Sequence, residues 1–474
     1  MHELQEGLSR ATAVFVFIAS PRFTKIKRNV AIHKYKIEEQ QDAAFVAENQ
    51  IPIHFPEEET EESNTLRLLS LFSGCGGMDI GFEGGFIAPR KSFCEGAECI
   101  ERIINEDWVK LRRNRFTTIF ANDILPEAEA GWTTFMSRHH HNANTYRRIS
   151  VVDLVKMHNQ GADIFPPNVD VVTGGFPCQD FSVAGKRKGF ESHKDHEGKL
   201  RTEDIPSEES RGKLYFWMKQ VIDITRPKVF VAENVKGLVS LGDVKDIIQR
   251  DFASADGNGY IVLNPQVLHA GDFGVPETRE RVIFIGVRID ALRPEALEAL
   301  RQEEIPKMYN PYPRPTHKCT TNDDSLLPIV TTRDVLGKLP EPDVAIDPAQ
   351  SQYSKAKYLA HGQGQTEIKL DGLGPTIRSE HHGNIEFRRL SEEHGGKYLD
   401  ELAAGRIERR LTPRECALIQ TFPPDYKLVI KGEGRAYKLS SSGAYKVIGN
   451  AVPPVLAYNI AKRLEEVWHL YFEE

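Results

Sequence analysis

The chain is poor in cysteine and has no long apolar run. Its six cysteines, at positions 75, 94, 99, 178, 319 and 416, never form a Cys-x-x-Cys pair. That excludes a disulfide-stapled scaffold and gives no sign of a zinc module or a dithiol redox centre. The longest apolar run near the start, residues 13–19, is far below the roughly 20 residues needed to cross a bilayer. Without a basic leader it reads as a short buried strand rather than a secretion signal, so a cytoplasmic location is expected. Neither charge sign dominates: 61 Lys and Arg stand against 68 Asp and Glu, a formal net charge of −7. This balance does not exclude nucleic acid, because phosphate contact depends on where the cations cluster. No internal repeat or low-complexity tract is present.

What is present is ample material for a core. With 474 residues, 40% of them hydrophobic, the chain is expected to form two or three domains of roughly 150 residues each. The acidic stretch Pro56-Glu57-Glu58-Glu59-Thr60-Glu61-Glu62 reads as a solvated linker that closes an N-terminal extension, residues 1–65. The basic Lys25-Ile26-Lys27-Arg28 in that extension reads as solvated surface, with DNA contact the alternative. From Leu66 onward, short β-branched or aromatic runs at 66–72, 117–121, 169–173, 229–232 and 282–287 alternate with helix-length stretches. This rhythm predicts an α/β fold, a doubly wound and mostly parallel sheet with helices on both faces. Between about 300 and 408 the rhythm gives way to Pro, Gly, His and Thr, which predicts a second, smaller and irregular domain. Apolar residues at Leu456, Ile460, Leu464 and Val467 predict a closing helix over 455–468. The expected division is a catalytic domain over 66–300, completed by 440–474, and a second domain over 301–439.

The first apolar run passes into Phe72-Ser73-Gly74-Cys75-Gly76-Gly77-Met78-Asp79. Glycines between a strand and a helix allow a tight turn and close approach of a ligand, and the helix start offers free N–H groups. The dinucleotide spacing Gly-x-Gly-x-x-Gly fails, because Asp79 holds the third position, and this favours a ligand without a pyrophosphate. Asp123, closing the second strand, could accept hydrogen bonds from ribose hydroxyls. A purely structural turn remains the alternative.

After the strand at 169–173 comes Gly174-Gly175-Phe176-Pro177-Cys178-Gln179. A cysteine at the carboxyl edge of a parallel strand lies where such sheets bind ligands, and as a thiolate it is a nucleophile. Inert core residues are the expectation for the other five cysteines. The next strand ends in Glu233-Asn234, and a carboxyl buried there would have a raised pKa suited to donating a proton or hydrogen bond. The alternative is a solvated loop carboxylate. Further on, Arg279 and Arg281 sit two apart on an extended run and could converge on a base carbonyl or a phosphate.

These blocks, with Arg409-Arg410-Leu411-Thr412-Pro413-Arg414-Glu415, Gln420-Thr421-Phe422-Pro423 and Tyr445-Lys446-Val447-Ile448-Gly449-Asn450-Ala451-Val452-Pro453-Pro454, resemble the cytosine-C5 DNA methyltransferase family in order and content. Ser210-Arg211-Gly212-Lys213-Leu214 adds a minor match. The resemblance covers most of residues 66–465, is of the bacterial restriction-modification or solitary type, and implies S-adenosylmethionine as methyl donor. It places Phe72 near the sulfonium, Gly74, Gly76 and Gly77 around the methionine part, and Asp123 at the ribose. Leu214, Asn450 and Val452 would complete the pocket.

It further implies that Cys178 attacks C6 of a flipped-out cytosine while Glu233, with Arg279 and Arg281, steadies the ring. Double-stranded DNA is the implied partner, acted on by a monomer, and a cognate restriction endonuclease acting separately is left open. The stretch 182–210, with Lys186-Arg187-Lys188, would close over DNA, and 301–439 would recognise the target. Within the latter, Gly374-Pro375-Thr376-Ile377-Arg378-Ser379-Glu380-His381-His382-Gly383 resembles the segment carrying a Thr-aliphatic pair. No metal is expected, since the paired histidines lack partners at ligand spacing.

Two positions depart from the family pattern. Ser150 stands where many members carry an acid for the adenine, and Glu277 where they carry Gln, either weakening DNA contact or bridging to Arg279. The rival readings are a transfer-RNA methyltransferase of the same family, a silent DNA-binding homologue, and a dinucleotide-dependent oxidoreductase.

Overall fold

The structure, a computed structural model, describes residues 64–139, 141, 144–177, 214–241, 243–362, 364–379, 385–434 and 436–473. The N-terminal run 13–19, the basic stretch 25–28, the acidic linker, Cys178, the stretch 182–213 and the paired His381 and His382 lie outside the described residues. Apart from residues 156–162, the described chain forms one compact unit.

Its centre is an eight-stranded sheet built from β1 (Leu66–Leu71), β2 (Phe116–Asn122), β3 (Tyr146–Arg147), β4 (Val171–Gly175), β5 (Val229–Val235), β6 (Tyr260–Val262), β7 (Gln266–His269) and β8 (Glu280–Arg288). The order across it is β7-β8-β5-β4-β1-β2-β3, with β6 also beside β8. Strands β3, β2, β1, β4 and β5 run parallel, whereas β8 is antiparallel to β5 and pairs antiparallel with β6 and β7. The doubly wound sheet is therefore mixed at one edge. Strands β5 and β8 contain unbroken apolar runs because both faces are covered there: Val229, Phe230, Val231 and Ala232 are all buried, as are Val282 through Ile285. The chain leaves β1 toward β2 on one side and toward β4 on the other, and such a reversal opens a crevice at the carboxyl ends of the strands.

Helices α1 (Gly77–Glu83), α2 (Pro126–Met136), α3 (Val151–Asn159), α4 (Leu214–Thr225), α5 (Val244–Ala253), α6 (Pro413–Ile419), α7 (Ser441–Asn450) and α8 (Pro454–Tyr471) accompany it. The closing helix is longer than its apolar stripe indicated, starting at Pro454, whose missing N–H costs nothing in a first turn. It buries Leu456, Ile460, Leu464 and Val467 and packs on α1. A Cβ on Gly81 would stand 2.4 Å from the Ala457 Cβ, so the small residues set this close approach.

Among the described residues, 301–439 hold only short elements, including two-stranded pairings of Phe387–Arg389 with Arg409–Arg410 and of Ile430–Lys431 with Tyr437–Leu439. Buried charge stands in for apolar periodicity here. Arg409 grips Glu415 with two 2.9 Å hydrogen bonds and reaches Glu341 at 2.9 Å. Glu341 also takes Arg389 at 2.8 Å, and these guanidiniums, against the opposing effect of burial, hold its carboxyl at about 2. A small antiparallel sheet of Ile87–Pro89, Trp108–Leu111 and Ile100–Ile103 lies between β1 and β2 in sequence, where no strand was expected.

Candidate active site

The glycine loop is sewn to the end of β2. Ser73 N–H donates to the Asn122 carbonyl at 2.7 Å, Gly74 N–H to Asp123 Oδ2 at 3.1 Å, and the Tyr146 hydroxyl to the Gly74 carbonyl at 3.2 Å. Phe72, directly after β1, is held at φ +52°, a left-handed conformation costing a non-glycine residue about 1–3 kcal/mol. These bonds hold it there. Asp123 also accepts the Leu125 N–H at 2.9 Å, and burial raises its carboxyl pKa above the ordinary value. With about four lone-pair sites on its two oxygens, the carboxylate retains capacity for a further donor.

The three glycines expected around a ligand are not alike. Gly74, at φ +54°, has open space where a Cβ would stand. Gly76 caps α1 in the left-handed region at φ +86°, and a Cβ on it would lie 2.9 Å from the Trp132 ring; a Cβ on Gly77 would lie 2.3 Å from the Val452 carbonyl oxygen. On the Cβ side of Gly76 and Gly77 the space is thus filled by the protein itself, whereas at Gly74 it is open. Asp79 has a role the sequence did not reveal. Fully buried, it accepts from Ser70 Oγ and Trp132 Nε1, both at 2.6 Å, and so bolts β1 to α2. Burial pushes its carboxyl up to about 6.

Of the other expected pocket residues, Val452 and Leu214 are buried, with Leu214 opening α4, and Asn450 is exposed at the end of α7. Ser150 caps α3, its Oγ accepting the Val152 N–H at 3.3 Å.

On the acid side, Gly175 at the end of β4 is in register with Glu233 on β5. A Cβ at Gly175 would stand 2.9 Å from Glu233 Oε2, so the glycine makes room for the carboxyl. Glu233 is buried, and its Oε1 meets Arg281 Nε at 2.7 Å. Burial raises the Glu233 pKa, opposed by the charges of Arg281 and then Arg279. The neighbouring Asn234 donates its Nδ2 to the Phe176 carbonyl at 3.1 Å, fixing the chain two residues before Cys178. The Glu-Asn pair thus divides its work: one side chain pairs with Arg281 and the other anchors the chain just before Cys178.

Arg279 departs from the expected convergence with Arg281. Its side chain has no solvent exposure, and it donates Nη1 to the Ile377 carbonyl at 2.9 Å and Nη2 to the carbonyls of Gly449 and Ala451 at 2.8 and 2.7 Å. Three backbone acceptors, distant in sequence, claim the guanidinium, while Arg281 is the arginine seen paired with Glu233 among the described residues. Glu277 does bridge to Arg279, at 3.6 Å. Burial pushes the thiols of Cys75 to about 12 and Cys319 to about 11, and that of Cys416 well above its ordinary value, so none of these is a ready thiolate. Among the described residues there is no cluster of three or more His, Cys, Asp or Glu able to hold a metal ion. None of the described helices is long and apolar enough to cross a membrane.

Comparison with known proteins bears on this arrangement directly. The family model for C-5 cytosine-specific DNA methylases matches residues 66–466. Type II methyltransferase M.BsuRI of Bacillus subtilis is 30% identical over 421 residues, covering 87% of this chain and 82% of its own length. Type II methyltransferase M.BspRI of Lysinibacillus sphaericus is 30% identical over 450 residues, 91% of this chain and 88% of its own. The matched span takes in the glycine loop, the Glu233–Arg281 pair and the closing helices. The chain belongs to the C-5 cytosine-specific DNA methylase family.

Proposed function

We propose that the protein transfers a methyl group from S-adenosylmethionine to C5 of a cytosine swung out of a specific duplex DNA sequence, through a transient bond between Cys178 and C6. The observation that carries this reading is the buried Glu233–Arg281 pair, seated against Gly175 only three residues before Cys178.

Cytosine C5 is a poor nucleophile until the ring is activated. The Cys178 thiolate would add to C6, forming the S–C6 bond and driving an electron pair into the ring. Glu233, its pKa raised by burial, holds a proton for N3 and relieves that charge, and Arg281 stabilises the adduct at O2. C5 is then an enamine carbon able to take a methyl group. Loss of the C5 proton and cleavage of C6–S would restore the aromatic ring and the thiolate. Because C6 is covered in a stacked duplex, the base must leave the helix, at a cost of a few kcal/mol.

The residues around the glycine loop fit the donor. Space is open at Gly74, a carboxylate with spare lone pairs stands at Asp123, and Asn450 is exposed nearby in the family's last motif. Phe72, Gly74, Asp123, Leu214, Asn450 and Val452 would hold S-adenosylmethionine, with Gly76 and Gly77 shaping the loop behind. The Phe72 ring face would attract the sulfonium by about 0.5–2 kcal/mol. When bound, S-adenosylmethionine supplies an electrophilic methyl group and leaves as a neutral thioether. Residues 301–439 would read the target bases.

Expression in a methylation-free host, followed by genome-wide mapping of 5-methylcytosine, tests this. One short sequence context should carry the mark. Methylation confined to transfer RNA, or no methylation at all, would count against the proposal.

A further inference from the structure

Resting on the reading of Glu233 and Arg281 as the base-binding pair, we infer that Glu277 and Arg279 are positioning residues that hold the recognition segment 374–379 in register with that pair. The two charges are buried together with no solvent exposure of either side chain, in the turn that feeds β8. Glu277 Oε1 accepts the Ile377 N–H at 2.7 Å, and Arg279 donates to the carbonyl of the same residue at 2.9 Å. Both faces of one peptide segment are therefore gripped from one turn.

The backbone continues the splint. Gly374 N–H donates to the Pro276 carbonyl at 2.9 Å and Thr278 N–H to the Gly374 carbonyl at 2.9 Å. Thr376 Oγ1 donates to the Thr278 carbonyl at 2.6 Å. From the other side, Arg279 holds the carbonyls of Gly449 and Ala451, which flank Asn450. A Cβ on Gly449 would stand 2.2 Å from the Arg378 carbonyl carbon, so segment 374–379 is pressed directly onto the carboxyl end of α7.

Burying an ion pair is a poor way to gain stability, since well-packed apolar side chains commonly do as well. A guanidinium offers what they cannot, a rigid planar fork that fixes several acceptors at once. Two residues after Arg279, on the same turn and strand, Arg281 meets Glu233. A displacement of segment 374–379 would thus shift the pair that faces the base. Within Glu277 the two oxygens differ. Oε1 holds Ile377, while Oε2 has no partner among the described residues, and Arg279 stands off at 3.6 Å. The hydrogen bond, more than the formal charge, carries the registration, so a glutamine amide could serve in its place.

The test compares the full-length wild type with Glu277→Ala, Glu277→Gln and Thr376→Val. It measures kcat and KM on a duplex carrying the mapped site, S-adenosylhomocysteine affinity by calorimetry, and melting temperature. Glu277→Ala should lower kcat by roughly 10- to 100-fold, as sub-ångström to 1 Å misplacement does, with cofactor affinity within about twofold of wild type. Glu277→Gln should recover most of the loss. Thr376→Val, which removes one partly exposed tie, should show the same pattern more weakly and serves if Glu277→Ala does not fold. Wild-type kcat in Glu277→Ala, an equal loss in Glu277→Gln, or cofactor affinity falling in step with kcat would each overturn the inference. A wild type inactive on every duplex would instead sink the underlying functional reading.

Discussion

Arg281 Nε lies 2.7 Å from Glu233 Oε1 where only about a tenth of either side chain meets solvent. Burial raises the Glu233 pKa and the guanidinium pulls it back. An acid that must be protonated loses activity as pH rises through its pKa. Removing the larger of the two opposing charges leaves burial less checked, with only Arg279 still pulling the other way, so in Arg281→Gln the alkaline limb of kcat/KM should move to higher pH. With one stabilising donor gone, kcat should also fall by roughly 10²- to 10³-fold. Full pH–rate profiles check both, and a limb that stays put or moves down contradicts the assignment of Glu233 as the acid.

Asp79 gives a stability prediction. Its carboxyl is raised from 3.8 to about 6 by burial, so the folded state binds its proton more tightly than the unfolded state. The contribution is present below the unfolded pKa and is lost as pH rises through the folded one, about 3 kcal/mol in all. In Asp79→Asn, the amide oxygen can accept from Trp132 and the amide N–H can donate to Ser70 Oγ, without a charge. The stability of Asp79→Asn relative to wild type should therefore climb between pH 4 and 6. Urea unfolding across that window measures it, and a constant difference would rule the account out.

The glycines should separate by what lies beside them. Gly77→Ala places a methyl group against the Val452 carbonyl, backbone that cannot step aside, and overpacking of this kind costs typically about 1–3 kcal/mol. Gly74→Ala meets open space and carries only the left-handed strain of about 1–2 kcal/mol. Gly77→Ala should also weaken cofactor binding through Val452. Greater damage at Gly74 in thermal melts would reverse this ranking.

Arg409 and Glu415 are buried together, with 3% and 2% of their side chains exposed. Arg409→Ala leaves Glu415 charged and unpaired, and should cost about 3–5 kcal/mol. Glu341, held at about 2 by Arg409 and Arg389, contributes stability that is present above its ordinary pKa and lost as pH falls toward 2. That acid-side loss should be shallower in Arg409→Ala. Chemical denaturation of both proteins at neutral and acid pH tests the pair, and an unchanged midpoint refutes it.

Of the parallel strands, β1, β2, β4 and β5 were legible as short apolar or β-branched runs, the clearest at Val229 to Ala232, whereas the two-residue β3, Tyr146–Arg147, left no such signal. The direction of β8 was not legible, since an apolar run carries no sign of its orientation. Nor was the Ile87–Pro89 sheet, which sits among charged residues, although the alternation Trp108-Val109-Lys110-Leu111 hinted at a strand. Glu233 and Arg281 could be placed from strand ends and spacing. Arg279 and Asp79 could not, for opposite reasons. The acceptors of Arg279 are backbone carbonyls about 100 and 170 residues away, and every residue type has a carbonyl. Asp79 lies in the first turn of α1, where its partner Trp132 on α2 becomes a neighbour only through the fold.

The central claim is that the Cys178 sulfur bonds reversibly to a cytosine removed from its helix. A duplex carrying 5-fluorocytosine at the methylated position, incubated with donor, measures this most directly, because fluorine cannot leave as the C5 proton does and the adduct persists. Wild type should become covalently attached, visible as a mass increase, while Cys178→Ala should bind cofactor yet never attach. No attachment by wild type, or attachment that survives the loss of Cys178, would contradict the account.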